Sequence, residues 1–524
     1  MATTVRIETK EPLMRVVLAA DHAGLPLRAT LAKAVEAAGH EAVLMGPDSG
    51  DPVDYPDVAE IVCAEVASAR ADRGILLCGS GAGVSIAANK CPGVRASIAH
   101  DTYTAHQMVE HDMVNVLTIG SRVIGPEPAS EIVTAFVSAK FTGETRHRRR
   151  LNKVLAIERD EINNPLHELH NVGQSVWMDN IRRDILDKGI LAHYIDRLAI
   201  TGLTSNPAIF DKAIADSNLY DQAIQSLMKS GTTDPEAIFF DLALEDLSRA
   251  ADLFRPTYEG TETVDGYVSL EVSPLLANDT ANTVEQGKAL FARANRPNFF
   301  IKVPGTPEGC EAIEQLIHAG VNINVTLLFS VEHYKNAADA YMRGLERRLK
   351  DGLDLNVASV GSVFISRWDK AANTKLPEDM HNQLGVAIGE ACYRAYCEMV
   401  ASDRWKKLAE HGGNPQRLLM ASTSAKDPSL PSGFYVTALA APNTVNTIPE
   451  ATLTEFGETG KVDGVLNPDG GNCDATMASI EKAGVDIHAL GEQLQIEGRD
   501  SFNDSWADLI KAIKSKGAEL AATA

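Results

Sequence analysis

Short apolar runs recur along the chain with amphipathic segments between them, and they fall into two series. In the first, runs at Arg15 to Ala20, Glu41 to Met45, Gly74 to Cys78, Arg95 to Ala99 and Asn115 to Gly120 alternate with helical segments. One of these helices, Leu25 to Ala38, stops at Gly39. The alternation predicts a doubly wound, Rossmann-like parallel sheet with helices on both faces. In the second series, strand-like runs start at Ser175, Leu198, Tyr267, Asn298, Asn322, Leu355 and Arg417, and an eighth covers Tyr435 to Ala440. Eight such runs predict a (β/α)8 TIM barrel, with an all-helical insertion from Asp379 to Glu410. Near the C-terminus Trp506, Leu509, Ile510 and Ile513 recur at helical spacing, as expected of a helix packed on the barrel.

No Pro-rich or Gly/Ser-rich linker separates the series. A helix starting in Arg146-His147-Arg148-Arg149-Arg150 runs to Asp160, and Asn163-Asn164-Pro165 breaks it. The boundary is therefore placed near Glu161, with domains at 12–160 and 161–524.

Composition narrows the function. With 44% hydrophobic and 23% charged residues among 524, and no apolar run long enough to span a bilayer, the chain reads as globular and cytoplasmic, with no membrane partner. The N-terminus lacks the apolar core of a signal peptide. Seven scattered cysteines without a CxxC pair argue against disulfides and structural zinc. The formal charge of −22 excludes nucleic acid as an obvious partner. It is uneven: 17 basic against 20 acidic residues through Asp160, a net −3, and 32 against 51 beyond it, a net −19.

In open parallel sheets ligands sit beyond the carboxyl ends of strands, and three places in the first series carry candidate chemistry. Asp21-His22 follows the first strand. Cys78-Gly79-Ser80-Gly81-Ala82-Gly83-Val84 is a glycine-rich strand-to-helix loop. Counting GxGxxG from Gly79 puts Val84 where the last glycine belongs, so the loop fails as a dinucleotide motif; what remains is a nest of N–H groups suited to an anion. Cys78 at its lip is either a small hydrophobe or a thiol placed to act as a base. His111 and Asp112 precede the next strand, and Arg146 and Arg150 share one helix face, either solvated or clamping a phosphate.

Asp21-His22, Asp54-Tyr55-Pro56, the run from Gly74 through Cys78 to Lys90, and Asn115 to Arg122 resemble ribose-5-phosphate isomerase type B over roughly Met14 to Arg159. The resemblance implies that Cys78 moves a proton between C1 and C2 through an enediolate, stabilised by Ser80 and the loop at Gly79, Gly81 and Gly83. His111 and Asp21 would assist ring opening; His22, Arg146 and Arg150 would hold the phosphate. The site would lie between two subunits, so a homodimer through this domain is expected. Asp112 departs from the asparagine usual in that family and bears on sugar preference.

In the second series, Asn298 to Pro304 holds one lysine in a short apolar run. Since desolvation disfavours a lone ammonium, such a lysine is paired, snorkels to solvent or is employed as an amine nucleophile. Polar residues cluster at the ends of the same strands: Asp179, Asn206, Glu271, Lys302, Asn324, Thr326, Ser362, Arg367 and Lys426. Taken singly, Asp179 could cap a helix, Asn206-Pro207 could be a turn and Arg367 a surface ion pair. Ser175 to Asp179, Thr204-Ser205-Asn206-Pro207, Ser269-Leu270-Glu271, Phe300-Ile301-Lys302-Val303-Pro304, Asn322 to Ser330 and Ala441 to Pro449 resemble transaldolase over nearly all of Asn164 to Ala524.

That second resemblance implies a Schiff base at Lys302, acid/base work by Asp179 on the C4 hydroxyl and a water activated by Glu271. Asn206, Asn324, Thr326 and Ser362 would bind sugar hydroxyls and Arg367 phosphate. Lys426 stands where many transaldolases have a second arginine. Together the resemblances imply a bifunctional pentose phosphate enzyme acting on sugar phosphates, with no metal and no cofactor. Two alternatives stay open: a first domain that binds a phosphosugar only to regulate, and a barrel that releases dihydroxyacetone as a plain aldolase.

Overall fold

The computed structural model describes residues 13–158 and 164–523, in two compact units divided between Ile162 and Asn163. Pro12 and Glu161, the proposed domain edges, lie outside the described residues.

The first unit holds five strands, β1 (Arg15–Ala20), β2 (Glu41–Leu44), β3 (Arg73–Cys78), β4 (Ala96–Ile98) and β5 (Val116–Gly120), in the parallel order β2-β1-β3-β5-β4. Side chains alternate across the sheet and divide its core in two. Val16, Leu18, Ile75, Leu77, Leu117 and Ile119 pack on one face, while Val17, Ala19, Leu76, Cys78 and Val116 pack on the other. Both faces are buried under helices, which is why the strands read as unbroken apolar runs. The last helix of this unit, Thr145–Glu158, begins just before the arginine run.

The second unit is a closed barrel of eight parallel strands: β6 (Ser175–Asp179), β7 (Ile200–Thr204), β8 (Val268–Glu271), β9 (Phe299–Pro304), β10 (Ile323–Leu328), β11 (Ser359–Phe364), β12 (Arg417–Ala421) and β13 (Val445–Ile448). Several βα turns are fixed by capping side chains. Asn206, Thr306 and Ser330 each accept an N–H from the first turn of the helix that follows, a contact worth about 1 kcal/mol. The insertion is helical, with Leu384–Ala401 and Asp403–Ala409.

One expected strand is wrong. Tyr435 to Ala440 is not a strand but largely the helix Phe434–Ala438, and the eighth strand is β13. Tyr435 is buried with its hydroxyl donating to Asp369 at 2.7 Å, so a short apolar run was serving a buried helical turn. The helix Ile487–Thr523 packs on the barrel as its spacing predicts, burying Trp506, Leu509 and Ile513.

Candidate active sites

In the barrel, strand register assembles the central groups. Glu271 on β8 pairs with Lys302 on β9, and Lys302 pairs with Asn324 on β10, so the three stand side by side in one layer. Lys302 is 5% exposed. Its Nζ lies 3.5 Å from Glu271 Oε2 and donates to Ser205 O at 3.1 Å. The ammonium is therefore paired and does not snorkel to solvent.

Asp179 ends β6 and accepts a hydrogen bond from Thr204 Oγ1 at 2.8 Å. Thr204 Oγ1 is also 2.6 Å from Thr447 Oγ1. With the Thr204 proton directed to Asp179, Thr447 is the donor to Thr204, and the relay fixes the carboxylate. Asn324 Nδ2 donates to Ser269 Oγ at 3.1 Å and Asn324 Oδ1 accepts from Ser362 Oγ at 2.7 Å. Burial pushes the Glu271 carboxyl up to about 7 against the pull of Lys302. Burial likewise raises Asp179, opposed by Lys302, Thr204 and Lys426. Desolvation, then the charges of Arg367 and Lys370, lower Lys426. Two carboxyl groups shifted upward beside one amine form an acid/base set.

A cavity of about 250 Å³ opens over this layer, walled by Asp179, Asn206, Lys302, Ser362, Arg367 and Lys426 among others. Glu271, Asn324 and Thr326 lie outside its wall. Both Glu271 oxygens and Thr326 Oγ1 are buried without a hydrogen-bond partner among the described residues. Arg367 stacks its guanidinium on Phe364 at 5.1 Å. Asn206 caps a helix, accepting from Ile209 N–H at 3.2 Å, and is part of the cavity wall. A larger cavity of about 410 Å³ lies at the opposite end, where β6, β11 and β12 begin, and holds none of the candidates.

Sequence reasoning gave no role to Thr204 and Thr447, although both lie within the runs that carry the resemblance. It also missed Ser205, whose carbonyl receives Lys302, and Phe364 and Phe502, which line the cavity.

In the first unit, Cys78 ends β3, buried, and its Sγ accepts the Gly81 N–H at 3.1 Å. Gly81 has φ +82°, and a Cβ there would come within 3.1 Å of the backbone at Ile119 and Gly120. At Gly83 a Cβ would meet the Tyr55 ring at 3.0 Å. The loop is thus shaped around Cys78 by glycine at the two positions, Gly81 and Gly83, where a side chain would crowd its neighbours. Ser80 is exposed, with its Oγ accepting from Ala82 N–H at 3.3 Å. Asp21 is buried, and its Oδ1 accepts from Ala23 and Gly24 N–H, shaping the turn that presents His22.

His111 is in the last turn of the helix Thr102–Asp112, before β5, and Asp112 closes that helix, exposed. The His111 ring packs on His147 with centroids 4.1 Å apart. His147 Nδ1 lies 2.8 Å from Thr142 Oγ1. Burial lowers the His147 pKa, with the charges of His111, Arg146 and Arg150 acting in the same direction. Arg146 pairs with Glu144 at 2.9 Å, and both are well exposed. Two groups result: Cys78, its loop, Asp21 and His22; and His111, His147, Arg146 and Arg150. Among the described residues no hydrogen bond or ion pair links one to the other.

Both parts of the chain are similar to known proteins. Residues 176–513 match the family model described as Transaldolase/Fructose-6-phosphate aldolase, and residues 16–154 match that described as Ribose/Galactose Isomerase. A transaldolase of Frankia alni is 41% identical over 361 residues, covering 67% of this chain and 97% of that protein. A transaldolase of Trichodesmium erythraeum is 39% identical, with 68% and 98% covered. Among solved structures, the type B ribose 5-phosphate isomerase of Trypanosoma brucei is 44% identical, covering 28% of this chain and 99% of that one, with a TM-score of 0.28.

Proposed function

Because the chain belongs to the transaldolase/fructose-6-phosphate aldolase family, we propose that its barrel transfers a dihydroxyacetone unit from sedoheptulose 7-phosphate to glyceraldehyde 3-phosphate. The observation that carries this reading is Lys302, buried in the cavity layer 3.5 Å from Glu271. Its amine attacks the ketose C2, and loss of water from the carbinolamine gives an iminium. Glu271, with a pKa of about 7, exchanges the proton that this water takes or leaves. Asp179 removes the C4 hydroxyl proton, the C3–C4 bond breaks, and erythrose 4-phosphate departs. The enamine left on Lys302 adds to the acceptor aldehyde, whose oxygen takes the proton back from Asp179. Water then releases fructose 6-phosphate. Asn206, Asn324, Thr326 and Ser362 bind sugar hydroxyls, and Arg367 and Lys426 the phosphate. Borohydride reduction in the presence of fructose 6-phosphate, followed by peptide mapping, tests the assignment: the adduct is expected on Lys302, and an adduct on another residue refutes it.

The first unit, on this reading, interconverts ribose 5-phosphate and ribulose 5-phosphate. Cys78 takes the C2 proton of the open-chain aldose and returns it to C1, a proton passes from the C2 hydroxyl to O1, and loop N–H groups and Ser80 hold the enediolate. Asp21 and His111 assist ring opening, and His22, Arg146 and Arg150 hold the phosphate. The two residue groups complete one site across a homodimer, which is what their separation within one chain supports. Asp112, beside His111, tunes which sugar is preferred. No described helix is long and apolar enough to cross a membrane, and the cytoplasm, where sugar phosphates are turned over, is the proposed location. Ribulose 5-phosphate formation by the purified chain, abolished in Cys78→Ala, tests this half.

A further inference from the structure

Most groups that wall the barrel cavity come from strands or from the turns that follow them. Phe502 does not: it comes from the helix Ile487–Thr523, with Ser501 and Ser505 beside it. That helix is pinned to the strand ends at several points. Gln495 Nε2 donates to Leu327 O at 3.0 Å and to Gly305 O at 3.2 Å. Leu327 has a left-handed φ of 57° where β10 shifts register against β11, so the helix reads an irregular backbone feature of that strand. Gly498 comes so close that a Cβ would sit 3.0 Å from Leu327 Cδ2 and 3.3 Å from Arg367 Nη1. Trp506 packs on Phe239 and Phe240, with centroids 5.1 and 5.7 Å away.

Held this way, the Phe502 ring lies 5.8 Å from Lys302 Nζ and 6.4 Å from the Phe364 ring, and is 8% exposed. Apart from Phe364, Ala208, Ala421 and Pro449, the other side chains walling the cavity are hydroxyls, one carboxylate, one amide and cations. The polar ones can hold water in the cavity; the Phe502 face, set against Lys302 Nζ, cannot order it, yet it tolerates a cation at this distance.

We propose that Phe502 is a positioning residue that decides the fate of the lysine-bound three-carbon intermediate, by keeping water from its C2 until an acceptor aldehyde arrives. The inference rests on the Schiff-base reading above. The intermediate has two exits. In transfer, the enamine carbon bonds to the acceptor aldehyde carbon, and the aldehyde oxygen takes a proton. In hydrolysis, the enamine carbon takes the proton held by Asp179 to give the iminium, and water oxygen bonds to C2 while the iminium electron pair returns to nitrogen. A proton then moves to Nζ, the C–N bond breaks, and dihydroxyacetone leaves the free amine. Water is the reactant that comes from solvent, so excluding it until the acceptor binds selects transfer.

The test is a partition ratio: dihydroxyacetone released from fructose 6-phosphate without acceptor, divided by transfer with erythrose 4-phosphate present. Phe502→Ala is expected to raise the ratio about tenfold or more, and Phe502→Leu, which keeps bulk and fold, to raise it less. Leu509→Ala, buried on the same helix but outside the cavity wall, is the structural control, with an unchanged ratio expected whatever its stability. Both Phe502 variants keeping the original ratio, with the Lys302 adduct still trapped by borohydride, overturns the inference alone. No trapped Lys302 adduct in the unaltered chain overturns the Schiff-base reading and this inference with it.

Discussion

The two units use parallel strands to opposite effect at their carboxyl ends. In the barrel, closure brings β6 to β13 around one axis, so Lys302, Glu271 and Asp179 meet inside a single chain and are desolvated together. In the open sheet, the groups remain in two sets, one around Cys78 and one around His111, with no described bond between them. Barrel closure gathers its groups in one place, whereas here the open sheet carries two sets, and the proposed dimer would bring them together.

The sharpest separation of the two sites comes from Lys302→Met. Transfer is expected to fall by about four orders of magnitude, the usual cost of deleting a nucleophile, in a coupled assay of fructose 6-phosphate formation. Cys78→Ala should lower isomerase turnover by about a hundredfold to ten-thousandfold, the range for a general base, and leave transfer intact. If the isomerase site is shared, mixing inactive Cys78→Ala and His111→Ala chains after unfolding and refolding restores about a quarter of the original activity, because half the dimers are mixed and each has one intact site. No recovery would place the whole site within one chain and erase the contrast.

Smaller effects probe the barrel alone. Glu271 is raised to about 7 by burial, so below that pH it holds its proton and cannot act as a base. Transfer kcat/KM should rise as pH passes upward through about 7, and Glu271→Gln should lower the plateau and remove that limb from the profile. The least change is expected from Lys426→Arg. A planar fork in place of a point charge should lower KM for the phosphosugar by about two- to fivefold, with kcat nearly constant.

Much of this arrangement could be read from residues alone, for a physical reason. Strands buried on both faces, such as β1, β3 and β9, are largely apolar, so a charged residue within or just after such a run is conspicuous; Lys302 and Asp179 stand out that way, and Cys78 through the glycine-rich loop it opens. β13 failed the same test. Its Asn446 and Thr447 are polar because they bond across the barrel, Asn446 Oδ1 accepting from Thr423 and Thr447 reaching Thr204. The neighbouring run at Tyr435 is more apolar and is a helix. Short runs carry too few periods to separate the two. Phe502 was invisible for another reason: its helix could be read as packed on the barrel, but which residue faces Lys302 depends on contacts made far along the chain.

The central claim is that one polypeptide carries two active sites that do not share their catalytic groups. Ribulose 5-phosphate formation from ribose 5-phosphate by the purified Lys302→Met chain tests it most directly. The account predicts an isomerase rate equal to that of the unaltered chain while dihydroxyacetone transfer is gone. Isomerase turnover that disappears together with transfer, or is absent from both chains, would contradict it.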